Sequence, residues 1–222
     1  MQLEWYGQSA FRLTDDGTTV FIDPFGDLSH LTGQGLRWDY PPITGVTADL
    51  LLVTHEHGDH NGVEAIGGDP VIVRSRAGTH ESPVGDVVGI AAEHDDVAGT
   101  YRGPNTLFVF SLGGRRVAHL GDLGQSALRD AQLAALGKVD VLLVPVGGGP
   151  TIDDAQAMAI VEQVRADVVV PHHYRTERID FLEPVDAFAE RFATIHRADA
   201  TVVDLDALDD GDGPLLVLPA AP

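Results

Sequence analysis

The sequence predicts an α/β protein built as one domain over residues 1–222, with two sheets in the middle and helices outside. Three observations support this prediction. Short alternating or apolar segments that suit strands come first along the chain. Strands alternate with helices after them, and no linker-like stretch separates two halves.

The N-terminal region predicts three strands followed by a long loop. The strands are expected at residues 3–7 (LEWYG), 9–14 (SAFRLT) and 18–24 (TTVFIDP). A turn at residues 15–17 (DDG) joins the second strand to the third. Residues 26–47 are rich in Gly, Pro and polar residues and contain Trp38 and Tyr40. A loop of this length in a compact domain is usually functional or disordered.

The rest of the chain predicts strands in alternation with helices. Further strands are expected at 50–54, 71–76, 87–93, 107–112, 115–120, 139–146 and 166–174, the last of these stopping at Pro171. Helices are expected at 126–136, 151–166 and 184–195. Thr151 suits the N-cap of the second helix, with Asp154 in the capping-box place, and Pro184 suits the start of the third. The tail 201–222 predicts an edge strand, an acidic turn and a final strand.

Composition bounds the class of protein. Hydrophobic residues make up 44% of the chain, which is ordinary for a globular protein and too many for a disordered one. The chain has no cysteine, so any metal must be held by nitrogen and oxygen atoms. The opening MQLEWYGQSAF lacks a signal-peptide pattern, and no apolar segment approaches the roughly 20 residues of a membrane span. We therefore expect a soluble, cytoplasmic protein.

The charge balance is strongly acidic. The formal net charge is −20 at pH 7, and Lys138 is the only lysine. Such a surface repels nucleic-acid phosphates and anionic lipids at ordinary salt, although molar salt would weaken that repulsion. An acid-rich, lysine-poor surface is typical of salt-loving microbes, but a high-GC genome also depletes lysine. The composition leaves both explanations open.

One segment carries the chemistry. Residues 53–62 read VTHEHGDHNG and place three histidines and two acids within six positions. If the chain stays extended beyond the preceding strand, His55, His57 and Asp59 alternate onto one side. His60 then follows where the chain turns into a helix. Four donor side chains would converge on a small volume.

Two interpretations of this segment are open. A surface run of histidines would be favoured for any one of these residues alone. The full H-x-H-x-D-H pattern after an apolar strand favours a divalent metal, whose charge replaces mutual repulsion with coordination. Imidazole and carboxylate ligands suit zinc, manganese, iron, cobalt or nickel. Four ligands from one short segment suggest two metals rather than one.

The motifs, in their order along the chain, resemble the metallo-β-lactamase superfamily. They are LEWYGQSAFRL, TTVFIDP, LLVTHEHGDHNG, AAEHDD, HLGDLG, LLVPVGGGPT and VVVPHHY, and they span almost the whole chain. Within the superfamily, the chain is similar to small stand-alone metal-dependent hydrolases related to ascorbate-6-phosphate lactonase. The resemblance implies a four-layer αββα sandwich with metals at one edge of the two sheets.

The resemblance also implies the remaining ligands. His94 in AAEHDD matches the third histidine of the first metal, and Asp122 in HLGDLG matches the aspartate that bridges both metals. The family form P-x-H-Y makes His173 the ligand, and His172 takes the variable position on the other side of the strand. Metal one would have the ligands His55, His57, His94 and Asp122. Metal two would have the ligands Asp59, His60, His173 and Asp122.

Four more residues are candidates for the surroundings of the metals. Asp23 and His119 match positions near the family's site, and we expect each to support a ligand, His119 by holding a ligand carboxylate. Tyr174 and Arg175 follow His173 directly, and the sequence leaves open whether they bind substrate or only cover the site. The histidines without a partner motif are expected in surface or loop positions; they are His30, His80 and His196.

The predicted function is a metal-dependent hydrolase acting on a small ester, lactone or phosphodiester. Two metals that share a water would ionise it near neutral pH, and the hydroxide would attack a carbonyl or phosphoryl centre. Asp59 would orient the nucleophile, and Asp122 would bridge the metals. The leaving group would be protonated by His119, Tyr174 or a metal-bound water. Zinc is the favoured metal, with manganese or iron as alternatives.

Two alternatives come from other functional classes. A nuclease or RNA-processing enzyme of the same fold is disfavoured by the net charge of −20 and by the lack of a basic arm. An iron redox protein usually carries a flavin domain, for which 222 residues leave no room, and a silent binding module would normally have lost a ligand. The expected partner is a small molecule, with no nucleic acid and no membrane. A homo-oligomer stays open.

The first prediction concerns the acidic surface. Self-repulsion at a net charge of −20 should lower the melting temperature in dilute buffer, and molar KCl should raise it by screening. Thermal unfolding across a KCl series measures this. A flat melting temperature would leave genome composition as the explanation for the missing lysines.

Overall fold

A computed structural model describes residues 1–208 and 213–222, and two sheets form its middle. Strands are numbered in chain order. The first sheet has six strands, in spatial order β15 (Val202–Asp204), β1 (Gln2–Gly7), β2 (Ala10–Asp15), β3 (Thr18–Ile22), β5 (Leu50–Val53) and β7 (Val71–Arg74). The second has eight strands, in spatial order β14 (Thr194–Arg197), β16 (Leu215–Leu218), β13 (Val168–His172), β12 (Val141–Pro145), β11 (Arg115–His119), β10 (Pro104–Leu112), β9 (Gly85–Glu93) and β8 (Gly78–Ser82). The short strands β4 (Val46–Thr47) and β6 (Ile66–Gly67) pair separately.

The two sheets share one large hydrophobic core. Alternation on β1 and β2 places Trp5 and Phe11 in this core, and β10 contributes Phe108 and Phe110. All four side chains are at most 1% exposed. Burying a phenylalanine side chain contributes roughly 1.5–3 kcal/mol to folding, so this layer holds the two sheets at a fixed separation.

The outer layers differ in kind. Three helices form one of these layers, namely α2 (Asp130–Leu136), α3 (Asp154–Val164) and α4 (Asp186–Ala189). Helices α2 and α3 pack on the eight-stranded sheet, and α4 packs on α3. A second core forms where Phe21 and Leu51 of the six-stranded sheet meet Phe25, Tyr40 and Ile43. The long loop therefore covers this sheet, and its one helix, α1 (His30–Gly33), has a single turn. The predicted four-layer α/β class is confirmed, with irregular chain in place of most of one helical layer.

Two predicted helices begin or end elsewhere. The N-cap of α3 is Asp153 rather than Thr151, because the Gln156 backbone N–H donates to the Asp153 side chain at 2.9 Å. The Thr151 hydroxyl bonds the carbonyl of Gly148 instead. The helix expected from Pro184 is only the four residues of α4, and the chain enters β14 soon after it.

The strand β13 continues through Pro171, where the sequence predicted a stop. Pro171 pairs with Val144 of β12, and His172 pairs with Pro145. On its other side, β13 pairs with β16, and within the described residues only Val168 and Val169 take part in that pairing. Pro171 therefore has no partner residue in β16. On that side of β13, a proline without an N–H removes no hydrogen bond from the sheet.

Two further differences concern polar segments. The strand β8, with the sequence GTHES, was not predicted because it is polar, yet it pairs along its length with β9. The acidic turn expected in the tail falls largely on residues 209–212, outside the described residues. The strands expected at 107–112 and 115–120 are confirmed as β10 and β11, which pair as a hairpin around Gly113-Gly114.

Strand directions place many carboxyl ends at one edge of the molecule. The strands β3, β5 and β7 are parallel, and β1 runs with them because β2 reverses direction on both sides. By the same reasoning, β9, β11 and β13 run in one direction in the other sheet. Residues that follow these strands can therefore meet. None of the helices in the described residues has the length and apolar character needed to cross a membrane.

Candidate metal centre

The histidine segment leaves β5 as a tight turn and not as extended chain. The backbone N–H groups of His60 and Asn61 both donate to the carbonyl of His57, at 2.9 and 3.1 Å. A single 3-10 turn at Val63–Ala65 follows in place of the expected helix. The four predicted ligands of this segment therefore converge by folding back. Strand alternation is not what brings them together.

The first group of facing side chains contains His55, His57 and His94. One ligand atom of each lies within 4.8 Å of the others. The Nε2 atom of His55 lies 3.0 Å from Nδ1 of His57. His55 and His94 are buried, whereas His57 is exposed, so this group opens to solvent on one side.

The second group contains Asp59, His60, Asp122 and His173, again within 4.8 Å of one another. The Nε2 atom of His60 lies 3.2 Å from Oδ1 of Asp122 and 3.6 Å from Oδ2 of Asp59. The Nε2 atom of His173 lies 3.1 Å from Oδ2 of Asp122. The seven residues predicted as ligands are thus brought together in two neighbouring groups.

These separations fit ligands that share an ion. At zinc–nitrogen bonds of roughly 2.1 Å in tetrahedral geometry, two ligand atoms on one ion lie ~3.4 Å apart. The Nε2 atom of His60 has no hydrogen-bond partner in the described residues although it is buried between two carboxylates. A cation between these atoms would supply the missing interaction. The residues present therefore fit a divalent metal.

Two imidazoles of the first group, those of His55 and His57, are held neutral, which is the form that binds metal. Burial lowers the pKa of His55 to about 2, and the neighbouring imidazole of His60 adds to this effect. Burial also lowers the pKa of His57, helped by His94. Both rings therefore keep a free lone pair at neutral pH.

The second group concentrates opposite charges. Burial alone would raise the pKa of Asp122, but the imidazoles of His173 and His60 hold it well below its usual range. Burial alone would lower the pKa of His60, but Asp122, Asp59 and Asp23 raise it well above its usual range. A cation bound here would take the place of the proton that His60 otherwise holds between these carboxylates.

Asp23, which follows β3, lies directly behind His60. Its Oδ2 atom lies 2.8 Å from Nδ1 of His60 and accepts from the hydroxyl of Thr54 at 2.7 Å. Its Oδ1 atom accepts from the backbone N–H of Thr54 at 2.7 Å. The carboxylate therefore keeps the proton of His60 on Nδ1 and turns Nε2 toward Asp122, as expected for a residue that supports a ligand.

Backbone groups orient two other ligands. The Nδ1 atom of His94 lies 3.1 Å from the carbonyl of Pro150, which leaves Nε2 facing Asp122 at 3.3 Å. The backbone N–H of Asp122 donates to the side chain of Asn105 at 3.2 Å. Gly121 has φ +53, and a Cβ atom there would lie 2.4 Å from that Asn105 side chain. Only glycine fits this exit from β11.

His119 supports the site in a different way from the one predicted. Its Nε2–H donates to the carbonyl of Ser9 at 3.1 Å, and its Nδ1 accepts from the N–H of Gly121 at 3.0 Å. Both ring nitrogens therefore bond backbone groups, and neither holds a carboxylate. The reason is that His119 is the last residue of β11, so its ring lies beside the turn that carries Asp122.

Sequence reasoning assigned no role to Ser9 and Gln8, which lie in the turn between β1 and β2. The hydroxyl of Ser9 lies 3.1 Å from Nδ1 of His172 and 3.4 Å from Oδ1 of Asp122. The amide of Gln8 donates to Oδ2 of Asp59 at 3.4 Å. The sequence feature that could have pointed to Gln8 and Ser9 is their position: they are two adjacent polar residues at the carboxyl end of the first predicted strand, in an otherwise alternating hairpin.

The residues after His173 do not enter the cluster. Tyr174 is 6% exposed and packs in the main core, with its ring 5.2 Å from that of Trp5. Burial raises its pKa, so its proton is held tightly. Arg175 is exposed, and its Nε–H donates to the carbonyl of Leu182 at 2.6 Å. Both residues stabilise the segment behind the site.

The remaining histidines lie outside both groups of clustered side chains. The ring of His172 is buried and stacks on His119, with centroids 4.6 Å apart, and it belongs to neither group of ligand atoms. The histidines without a partner motif lie outside the cluster: His30 at the start of α1, His80 on β8 and His196 on β14.

Two cavities lie near segments that carry the cluster, although none of the seven clustered residues lines either of them. The aromatic cavity, of about 470 Å³, is lined by Phe25 and by residues of the long loop, including Leu28, Trp38, Tyr40 and Ile43. The polar cavity, of about 660 Å³, lies between residues 95–102 and 149–156. Both volumes lie in the range that holds a small molecule.

The fold and the cluster define a class of protein: an α/β sandwich that carries histidine and aspartate metal ligands at one edge of its sheets. The chain belongs to the metallo-β-lactamase superfamily, because residues 2–173 match the family described as "Beta-lactamase superfamily domain". It is 31% identical to a UPF0173 metal-dependent hydrolase of Thermus thermophilus, over 96% of this chain and 97% of that protein. It is 35% identical to a UPF0173 protein of Pyrococcus furiosus, over 79% and 84% respectively.

A solved structure agrees with this assignment. A protein of Thermotoga maritima, assigned as a Zn-dependent hydrolase of the metallo-beta-lactamase superfamily, superposes with a TM-score of 0.78. The two chains are 30% identical, and the match covers 98% of each. The superfamily resemblance read from the sequence motifs is therefore confirmed.

The second prediction concerns Asp23→Asn. Asparagine tolerates the positive φ of this position, so the change tests the charge and not the backbone. The N–H₂ group of the new asparagine would face either the backbone N–H of Thr54 or the Nδ1–H of His60, so two donors would meet. Because the support for His60 is then weakened, metal affinity should fall about 10- to 100-fold. Competition with a metal chelator measures the affinity.

The matched control is Asp16→Asn, in an exposed turn that also has a positive φ. It should leave metal affinity unchanged. Equal affinities for the Asp23→Asn variant and the control would show that Asp23 does not support His60.

Proposed function

We propose that this metal-dependent hydrolase binds two divalent metal ions through the seven side chains that meet at the strand ends. The observation that carries the proposal is that the Asp122 carboxylate, a member of the second group, also faces a histidine of the first. Its Oδ2 atom lies 3.3 Å from Nε2 of His94 and 3.1 Å from Nε2 of His173. Zinc is favoured by the nitrogen and oxygen ligands, with manganese or iron as alternatives.

The reaction would be hydrolysis at a carbonyl or phosphoryl centre. When bound, two such ions lower the pKa of a shared water and polarise the oxygen of the bond under attack. Asp59 is the more exposed of the two clustered carboxylates, with its side chain 24% exposed against 3% for Asp122. Its free oxygen would accept a hydrogen bond from the attacking water. Gln8 would hold the other side of this carboxylate.

The proton for the leaving group would come from solvent. His119 bonds backbone with both ring nitrogens, and Tyr174 lies in the core. Neither of these sequence candidates is placed to donate a proton. The cluster is open at His57 and Asp59, where water has access.

The substrate would be a small ester, lactone or phosphodiester. Support comes from the aromatic cavity, whose Phe25, Trp38 and Tyr40 rings lie 5.3 to 6.0 Å apart and offer apolar surface to a small group. Leu28 of the same cavity lies against Gly58, within the histidine segment. A nucleic acid would instead require a cationic track, whereas this chain has 34 acidic residues against 14 basic ones. The cytoplasmic location and the partners stay predictions from the sequence.

The third prediction is a stoichiometry of about two divalent metals per chain, because seven nitrogen and oxygen ligands fill two shells that share Asp122. Elemental analysis of remetallated protein measures it. His57→Ala, Asp122→Ala and His173→Ala should lower occupancy.

His80→Ala and His196→Ala are the matched controls, since neither residue lies in the cluster. Wild-type protein that holds no tightly bound metal would refute the proposal. Loss of metal in a His172→Ala variant, with retention in His173→Ala, would reverse the assignment of these neighbours.

The fourth prediction concerns the substrate. The metal-loaded protein should hydrolyse esters, lactones or small phosphodiesters and leave RNA and DNA intact at low and at high salt, because its charge repels the phosphate backbone. Turnover assays with each substrate, with and without a chelator, decide the point. Metal-dependent cleavage of RNA without cleavage of any small substrate would favour the nuclease alternative instead.

A further inference from the structure

The turn of the first hairpin places a buried hydroxyl beside Asp122. Ser9 is 0% exposed, and its Oγ atom lies 3.4 Å from Oδ1 of Asp122 and 3.1 Å from Nδ1 of His172. His172 is also 0% exposed. A hydroxyl carries one proton, so it can donate to only one of these two neighbours. The direction of that bond decides what Ser9 does for the site.

The ring of His172 indicates the direction. Its Nε2 atom is buried and has no hydrogen-bond partner in the parts of the chain that the structure describes. A proton on Nε2 would leave a buried N–H unpaired, and buried donors are left unpaired more rarely than acceptors. With the proton on Nδ1 instead, the ring donates to the oxygen of Ser9. The Ser9 proton then points to Asp122, whose carboxylate can only accept.

Two stacked histidines hold Ser9 in place. The Nε2–H of His119 donates to the backbone carbonyl of Ser9 at 3.1 Å. The rings of His119 and His172 stack with centroids 4.6 Å apart, and the ring of Phe11 packs edge-on against both. One histidine therefore fixes the backbone of Ser9, and the other fixes its hydroxyl.

The hydroxyl donates to the oxygen of Asp122 that belongs to one side of the cluster. This oxygen, Oδ1, lies 3.2 Å from Nε2 of His60. The other oxygen, Oδ2, faces Nε2 of His94 and of His173, at 3.3 and 3.1 Å. A hydrogen bond to Oδ1 resists rotation of the carboxylate, so each oxygen keeps its own set of imidazoles.

We propose that Ser9 is a positioning residue for Asp122, in a hydrogen-bond chain that runs from Nδ1 of His172 through the Ser9 hydroxyl to Oδ1. This role rests on the proposed function, in which two metals share the Asp122 carboxylate. His172 acts only through Ser9. The hydroxyl of Ser9 does not attack substrate, because it is fully buried.

The first experiment measures metal binding by Ser9→Ala, His172→Phe and the double variant. Each protein is loaded with two equivalents of cobalt(II), whose d–d absorption reports the arrangement of its ligands, and chelator competition gives the affinity. Phenylalanine keeps a ring to stack on His119 but has no Nδ1–H. The matched control is Thr14→Val on the same hairpin, because the Thr14 hydroxyl also has a 3.4 Å contact, to the hydroxyl of Thr19, and lies outside the cluster.

We expect Ser9→Ala to lower the cobalt affinity about 10-fold and to change the d–d spectrum of the fully loaded protein, because the carboxylate of Asp122 can then rotate. His172→Phe should act in the same direction. The double variant should match Ser9→Ala, because residues in one hydrogen-bond chain do not have additive effects. Thr14→Val should match wild type in affinity and in spectrum.

An unchanged cobalt spectrum and affinity in Ser9→Ala, even with a lower melting temperature, would show a merely structural role and overturn the proposal. Additive losses in the double variant would overturn the hydrogen-bond chain from His172, because the histidine would then act independently of Ser9.

The second experiment needs no metal. Two-bond ¹H–¹⁵N NMR of the metal-free wild type shows which ring nitrogen of His172 carries the proton, and His172→Phe assigns the signals. We expect the proton on Nδ1. A proton on Nε2 alone would mean that Ser9 donates to the histidine, and the proposal would fail. If wild type holds fewer than two cobalt ions, the two-metal function fails, and the hydrogen-bond chain is judged on this tautomer alone.

Discussion

The cluster depends on one buried carboxylate. Asp122 is 2% exposed and has the imidazoles of His60, His94 and His173 within 3.1 to 3.3 Å. An isolated carboxylate in such a position would be costly to bury. The surrounding imidazoles offset this cost, and two divalent ions would offset it further. The same carboxylate therefore links the packing of the two sheets to the chemistry proposed for the site.

The sheets bring the ligands together because their carboxyl ends share one edge. His55, His57, Asp59 and His60 follow β5 of one sheet, whereas His94, Asp122 and His173 follow strands of the other. The core around Phe11 and Phe108 sets the separation of the sheets, so core packing and ligand geometry are coupled. The hairpin turn with Gln8 and Ser9 reaches the same edge and contacts both clustered carboxylates.

The two cavities near the site offer two kinds of surface. The aromatic cavity is formed by a loop that replaces most of a helical layer, and the polar cavity by a loop that Asp95 organises from within. The scaffold that carries the metal ligands is thus regular, while the aromatic surface proposed to contact substrate is irregular. Loops can vary without disturbing the strand ends, which is why function is often found on them.

The sequence by itself determined the α/β class, most strands and four of the clustered residues, because periodicity and the H-x-H-x-D-H motif are local signals. The other three clustered residues, His94, Asp122 and His173, followed only from the resemblance to the family. Tertiary structure decided the rest. The segment 54–60 turns back where extended chain was expected, and Pro171 stays within a strand because one side of it lies outside the ladder. Likewise, His119 bonds the backbone of Ser9, 110 residues away in the chain. Such contacts depend on which strand ends become neighbours, and no local pattern of residues specifies that.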